Sequence, residues 1–419
     1  MPDTRAPLLS LDEALSRLVA GARAARIQDV EQLSTFDALG RVLARDVVSA
    51  IDVPPADNSA MDGYARRCDD LAGAGTVLPQ SQRIAAGAVG APLAAGTVAR
   101  IFTGAQVPAG ADAIVMQERC TAVDGGIRID ALPQPGQWIR RRGEDVQAGA
   151  TVLPCGMQLT PQALGLAAGV GAARLTVLRR PRVALFSTGD ELVMPGSVPP
   201  EALPPGAIYN SNRFTLRGLL LAAGCEVSDL GIVPDRLDAT REALRVASRG
   251  HDLVLTSGGV SVGEEDHIKP AVAAEGRIEV WQVAIKPGKP LAFGALRHGA
   301  AAGERDCLFL GLPGNPVSSF VTFLLAVQPV LKAMQGLSAA LPTPTAMRAD
   351  FDWPRPDRRR EFLRVRRNPE GGLDLYPNQS SGVLTSAVWA DGLVDNPPEQ
   401  AIRRGDAVAY RNLEVWIGR

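Results

Sequence analysis

The chain has 419 residues, 46% hydrophobic and 21% charged, with 44 basic against 45 acidic side chains and a formal net charge of −1. That composition assures a buried core and excludes a chain dominated by disorder, while the missing basic excess excludes a general nucleic-acid binder. Five cysteines stand apart without a C-x-x-C and there are three histidines, which argues against a disulfide framework, a zinc ribbon or a His-rich centre and makes the cytoplasm the expected compartment.

Ser10-Leu11-Asp12-Glu13 is a capping box, and Leu11, Ala14, Leu15, Leu18 and Val19 recur at helical spacing, so an amphipathic helix opens the fold. No secretory leader is expected ahead of it. From about 47 to 149 Gly and Pro break the sequence into short β-prone pieces such as 97–102 and 113–116, which points to a small β-rich domain. Thr160-Pro161 places an N-cap Thr before Pro at the first helical position, opening a helix that ends near Gly169 and is expected to rejoin the N-terminal one.

Beyond Arg179-Arg180-Pro181 apolar runs at 183–186, 253–255, 278–281, 291–294 and 308–310 alternate with helical patterns at 212–223, 240–248 and 317–331. This is the texture of βαβ units, a doubly wound α/β domain with a parallel sheet buried on both faces. After Gly336 a Pro-rich linker leads to β-prone runs at 362–365, 373–376 and 407–410, a small β-barrel or sandwich. No run reaches the roughly 20 continuous apolar residues of a bilayer span, so no membrane partner is expected.

Three Gly-rich loops follow predicted strands: Ser187-Thr188-Gly189-Asp190-Glu191-Leu192, Thr256-Ser257-Gly258-Gly259-Val260-Ser261-Val262-Gly263 and Gly311-Leu312-Pro313-Gly314-Asn315-Pro316-Val317-Ser318. Loops at the carboxyl ends of parallel strands are where α/β sheets bind ligands, and glycines there let backbone N–H groups approach an oxyanion. A phosphorylated ligand fits, and ordinary strand-to-helix turns are the alternative. Glu264-Glu265-Asp266 beside such a cradle reads either as a Mg²⁺ site or as an acidic helix start complementing the dipole. Glu191 and Asp235 in neighbouring loops tilt the choice toward metal or water handling.

Lys269, Lys286, Lys289 and Lys332 are the only lysines, so 40 of the 44 basic residues are arginine. Against that background Lys286-Pro287-Gly288-Lys289-Pro290 suggests that a compact ammonium is wanted for a small tetrahedral oxyanion, where a planar guanidinium would overfill the site. The Arg-rich stretch 355–367 reads better as a solvated strand than as an anion site, because Asp357 and Glu361 are interspersed.

These loops, with Asp57-Asn58-Ser59-Ala60-Met61-Asp62-Gly63-Tyr64, Thr103-Gly104-Ala105 and Gly143-Glu144-Asp145, resemble the molybdopterin molybdenumtransferase (molybdenum insertase) family, which includes the C-terminal region of gephyrin. The resemblance runs over essentially the whole chain. It implies a linker/dimerisation domain from 1–46 and 148–178, a β-rich inserted domain at 47–147, an α/β molybdopterin-binding domain at 179–334 and a C-terminal β-barrel at 335–419. It implies an enzyme that inserts molybdate into adenylylated molybdopterin and releases AMP with Mg²⁺ as cofactor. It also implies a homodimer, with molybdopterin adenylyltransferase and acceptor molybdoenzymes as further partners.

By the same resemblance Thr188, Gly189, Ser257, Gly258, Gly259, Ser261, Pro313, Gly314, Asn315 and Pro316 hold the pterin-adenylate, and Lys286, Lys289, Ser318, Arg364 and Ser381 hold molybdate. Asp266, Asp235 and Glu191 are expected to handle Mg²⁺ and the attacking water, with Asp266 and Glu191 as metal candidates. Asp62, Thr103 and Asp145 are expected to serve the cleft of a partner subunit. Gln282 stands where many relatives carry a third lysine. Two other readings remain: a molybdopterin adenylyltransferase, which would consume ATP without molybdate, and a dimeric scaffold without turnover.

Overall fold

A computed structural model describes residues 8–260, 267–297 and 306–417. The chain divides into two compact units, Gln32–Val177 and Met1–Glu31 with Leu178–Arg419.

In the larger unit the N-cap half of the capping box forms, with Ser10 Oγ accepting from Glu13 N at the start of helix Leu11–Ala24, while the Glu13 carboxylate accepts from Arg17 at 3.0 Å. Its buried face, Leu11, Ala14, Leu18 and Ala22, packs in one core with Leu324, Leu325 and Val330 of helix Pro316–Met334. Its apolar stripe is thus satisfied within the α/β body. Pro316–Met334 is long and apolar enough to cross a membrane, yet 94% of its apolar window is buried inside the fold.

The central sheet has six strands in the order Glu226–Val233, Arg182–Thr188, Leu253–Ser257, Cys307–Leu312, Pro290–Leu296, Gly276–Gln282. The first four are parallel. Side chains alternate between two cores, Val183 and Leu185 facing one and Ala184 and Phe186 the other, so both faces are covered, as a doubly wound sheet requires. The expected parallel sheet holds for these four strands, and the last two run antiparallel. The links at 283–289 and 297–306 are too short for a crossover helix, and a parallel return needs a dozen or more residues. The edge strand Glu226–Val233 escaped the sequence reading because Asp229 and Gly231 interrupt its apolar run.

In the C-terminal region five strands close into a barrel: Arg360–Arg367, Gly372–Leu375, Thr345–Ala349, Ala407–Asn412 and Gly392–Asn396, which pairs back onto the first. Closure decides between barrel and sandwich and removes the sheet edges. The solvated-strand reading of 355–367 is also corrected. Glu361 to Arg364 are buried, and flanking arginines are paired, Arg360 with Asp395 and Arg367 with Asp391.

The smaller unit holds a four-stranded sheet in the order Gln80–Ile84, Val98–Ile101, Gly63–Arg66, Ala113–Met116 over a core of Ala65, Ile84, Ala99, Ile101 and Ile114. A three-stranded sheet of Thr76–Leu78, Gly126–Ile129 and Cys120–Val123 stands beside it in the chain. Helix Pro161–Gly169 begins at Thr160, whose side chain accepts from Ala163 N.

Candidate functional site

The parallel strands Arg182–Thr188, Leu253–Ser257 and Cys307–Leu312 end together, and their loops line one cleft of about 610 Å³ in the larger unit. On its α/β side lie Thr188, Gly189, Glu191, Asp235, Gly258, Gly259, Pro313, Gly314, Asn315 and Ser318. Facing them are Lys286, Lys289, Arg359, Gln379, Ser380 and Ser381. Ser257 and Pro316 line an adjoining lobe of about 350 Å³, which shares Thr188, Glu191, Gly258, Gly314 and Asn315 with the cleft. Most of the residues expected to hold substrate therefore converge. Ser261 and Asp266, with Glu264 and Glu265, lie outside the described residues.

The loops are tied to one another by main chain and short polar side chains. Gly258 N donates to Leu312 O at 3.1 Å, Asn212 Nδ2 to Gly314 O at 2.7 Å, and Asp235 N to Asp190 Oδ1 at 3.1 Å. Gly259 sits at φ +65°, where an added Cβ would meet Ile268 Cγ1 at 2.5 Å and Thr188 Oγ1 at 3.0 Å. A side chain there carries both left-handed strain and overpacking. Gly259→Ala is expected to cost about 2–4 kcal/mol of stability and to weaken ligand binding at this loop. An alanine variant that melts at the wild-type temperature would show that the loop has room to spare.

The lysine turn is held by the barrel. Ile285–Lys286 forms a short parallel pairing with the barrel strand, Lys286 opposite Glu361, and Arg360 N donates to Ala284 O at 2.9 Å. At the tip Gly288 adopts φ +106° with Thr322 Oγ1 only 2.5 Å from where a Cβ would stand, so the turn packs flat on the helix behind it.

The two lysines differ in their surroundings. Lys286 Nζ lies 3.2 Å from Glu361 Oε1 and 3.4 Å from Asp357 Oδ2, and 6.0 Å from the centre of the Trp353 ring. Among the described residues no carboxylate pairs with Lys289. Arg359 grips Asp357 with both arms of its fork, at 2.9 Å each, and these bonds, with a backbone N–H, hold the Asp357 carboxyl well below the usual range.

Arg364 does not line the cleft. It is 1% exposed, and its guanidinium donates to Phe362 O at 3.0 Å, Ser386 Oγ at 3.2 Å and Ser380 O at 3.4 Å. Burial without a carboxylate partner pushes it down to about 10. Gln379 completes the brace: its Oε1 accepts from Arg364 N at 2.9 Å and its Nε2 donates to Arg364 O at 3.0 Å. The far end of this loop is fixed by Val317 N donating to Ser381 O at 3.0 Å. Arg364 thus places Ser380 and Ser381 from behind.

In the smaller unit Asp62 and Thr103 come together, Asp62 Oδ1 accepting from both N and Oγ1 of Thr103 at 2.8 Å. These bonds hold the Asp62 carboxyl below its ordinary value, the backbone N–H being the larger cause. Asp145 N donates to Val53 O at 3.0 Å in a neighbouring turn. Gln282 pairs with Pro290 at the end of the antiparallel strands.

Sequence reasoning did not single out Arg359 or Asn212. Arg359 lay in a stretch set aside for its interspersed acids, the feature that proves to fix its position. Asn212 carried no motif, only a place at the start of a helix after a short strand.

The residues 9–171 match a family described as MoeA N-terminal region (domain I and II), 184–333 a "Probable molybdopterin binding domain", and 346–413 the MoeA C-terminal region (domain IV). The chain is 43% identical over 330 residues to a molybdopterin molybdenumtransferase of Haemophilus influenzae, covering 78% of each chain. It is 37% identical over 394 residues to molybdopterin molybdenumtransferase 2 of Mycobacterium tuberculosis, covering 90% of this chain and 93% of the relative. A crystal structure of molybdopterin biosynthesis moeA protein from Pyrococcus horikoshii superposes with a TM-score of 0.82 at 29% identity, covering 96% of this chain and 99% of that one. By identity and coverage together, the chain belongs to the molybdopterin molybdenumtransferase family.

Proposed function

We propose that the cleft takes adenylylated molybdopterin and molybdate, transfers the molybdenum to the pterin dithiolene and releases AMP, a step in molybdenum cofactor biosynthesis. The observation that carries this reading is the meeting of two kinds of anion site in one cleft, glycine loops at the ends of parallel strands and a lysine turn facing them. Backbone N–H groups of Gly259, Gly314 and Asn315 suit phosphate oxygens. Lys286 and Lys289 suit a tetrahedral dianion, with Ser318 and Ser381 as hydroxyl donors.

The residues fit a requirement for Mg²⁺. Glu191 and Asp235 bring two carboxylates to the cleft, the kind of oxygen ligand that Mg²⁺ takes when substrate phosphates complete its shell. Bound there, the ion would supply charge neutralisation on the phosphates. The chain's own carboxylates Glu191 and Asp235 would then orient water toward the phosphoanhydride, and Asp266, which lies outside the described residues, is the third candidate for that task. The homodimer, with Asp62, Thr103 and Asp145 serving a partner's cleft, belongs to the same proposal.

The test is to supply pterin-adenylate, Mg²⁺ and molybdate and follow AMP. Release that depends on both ions is expected. Release indifferent to molybdate, or consumption of ATP in its place, would overturn the reading.

A further inference from the structure

The lysine pair is asymmetric, and the cause lies in Glu361. This carboxylate is 0% exposed. Its Oε2 accepts from Trp353 Nε1 at 2.7 Å and lies 3.4 Å from Asn396 Nδ2. Among the described residues its Oε1 has no hydrogen-bond partner and lies against the Lys286 ammonium, at 3.2 Å. A buried carboxylate with an unbonded oxygen depends on its counter-ion far more than an exposed one does. Asp357, the second neighbour of Lys286, already has the fork of Arg359. Lys286 is therefore committed inward before any anion arrives, whereas Lys289 has no carboxylate partner among the described residues.

We propose that Glu361, together with Asp357, sets the strength of oxyanion binding by holding Lys286 as an already neutralised cation. This rests on the proposed use of the cleft for molybdate. A dianion at the lysine turn feels Lys289 without a carboxylate partner among the described residues, but Lys286 only after subtraction of the Glu361 charge and of what Arg359 leaves of the Asp357 charge. In an environment of intermediate dielectric, unit charges a few ångströms apart still interact by several kcal/mol. The oxyanion is thus received loosely, which suits a group that must leave the lysines for sulfur.

Glu361 and Asp357 are positioning residues, because neither is placed against substrate. Glu361→Gln keeps the shape and the acceptor for Trp353 and removes the charge. Molybdate should bind the variant about three- to tenfold more tightly in isothermal titration, and the gain should shrink as salt rises from low to 0.5 M, as an electrostatic effect must. Asp357→Asn, near the surface and less demanding of the fold, should shift affinity in the same direction.

Unchanged or weaker binding by both variants, with wild-type binding intact, would overturn the inference, as would a gain insensitive to salt. A wild-type protein that binds no molybdate would instead sink the underlying reading of the cleft. The two failures are therefore distinct.

Discussion

Lys289→Ala should raise the molybdate concentration needed for half-maximal AMP release by about 100-fold, the ~3 kcal/mol typical of one charge-assisted contact to a bound anion. It should leave pterin-adenylate affinity within about threefold and the melting temperature unchanged, since no carboxylate among the described residues relies on that ammonium. Lys286→Ala should behave differently. It too should weaken molybdate binding far more than pterin-adenylate binding, but it also strands the buried Glu361 carboxylate.

The expected stability loss for Lys286→Ala is about 1–2 kcal/mol, the figure for breaking a buried pair discounted for a lysine that is 38% exposed. Adding Glu361→Gln should restore the stability without restoring the lysine, because the uncompensated charge is then gone. Denaturant unfolding of the two single variants and the double variant measures this directly. Equal stability of Lys286→Ala and Lys289→Ala would show that Glu361 needs no counter-ion. Equal loss of molybdate and pterin-adenylate binding would refute the assignment of the turn to the oxyanion.

Arg364→Ala is the second large expected effect, and here stability should fall more than chemistry. Three donated hydrogen bonds are lost to Phe362 O, Ser386 Oγ and Ser380 O, and a cavity is left at a site 1% exposed. A loss of about 3 kcal/mol follows from those contributions together. Molybdate affinity should weaken by no more than about tenfold, through displacement of Ser380 and Ser381, because the guanidinium is turned away from the cleft. Calorimetry beside a molybdate titration separates the two effects. A variant that folds normally yet binds no molybdate would return Arg364 to the role its sequence position suggested.

The lesson of Arg364 and Lys286 is general to this chain. Local sequence reveals a motif wherever the chemistry is backbone-borne: the glycine loop at 258–259 must have glycine, because Gly258 and Gly259 stand where a Cβ collides. The glycine turn at 258–259, the Ser10 N-cap and the Thr160-Pro161 helix start are decided within a few residues, and they form where the sequence places them. The lysine turn was visible for a compositional reason, as two ammonium groups in a chain that otherwise uses arginine. The alternation of apolar runs in 183–310 determined the α/β class, because a sheet covered on both faces needs continuous apolar strands.

Partners distant in sequence were not legible. Lys286 meets Asp357 and Glu361 more than 70 positions away, and which carboxylate neutralises which cation depends on the barrel strand 360–367 pairing beside 285–286. The antiparallel end of the sheet follows from loop length, and the edge strand Glu226–Val233 from neighbours that pair with it despite its polar residues. Amino-acid pattern by itself fixed the kinds of groups this protein carries toward an anionic ligand. Only the tertiary structure decided which of them are already satisfied within the fold, because pairing and burial are properties of residues brought together from remote parts of the chain.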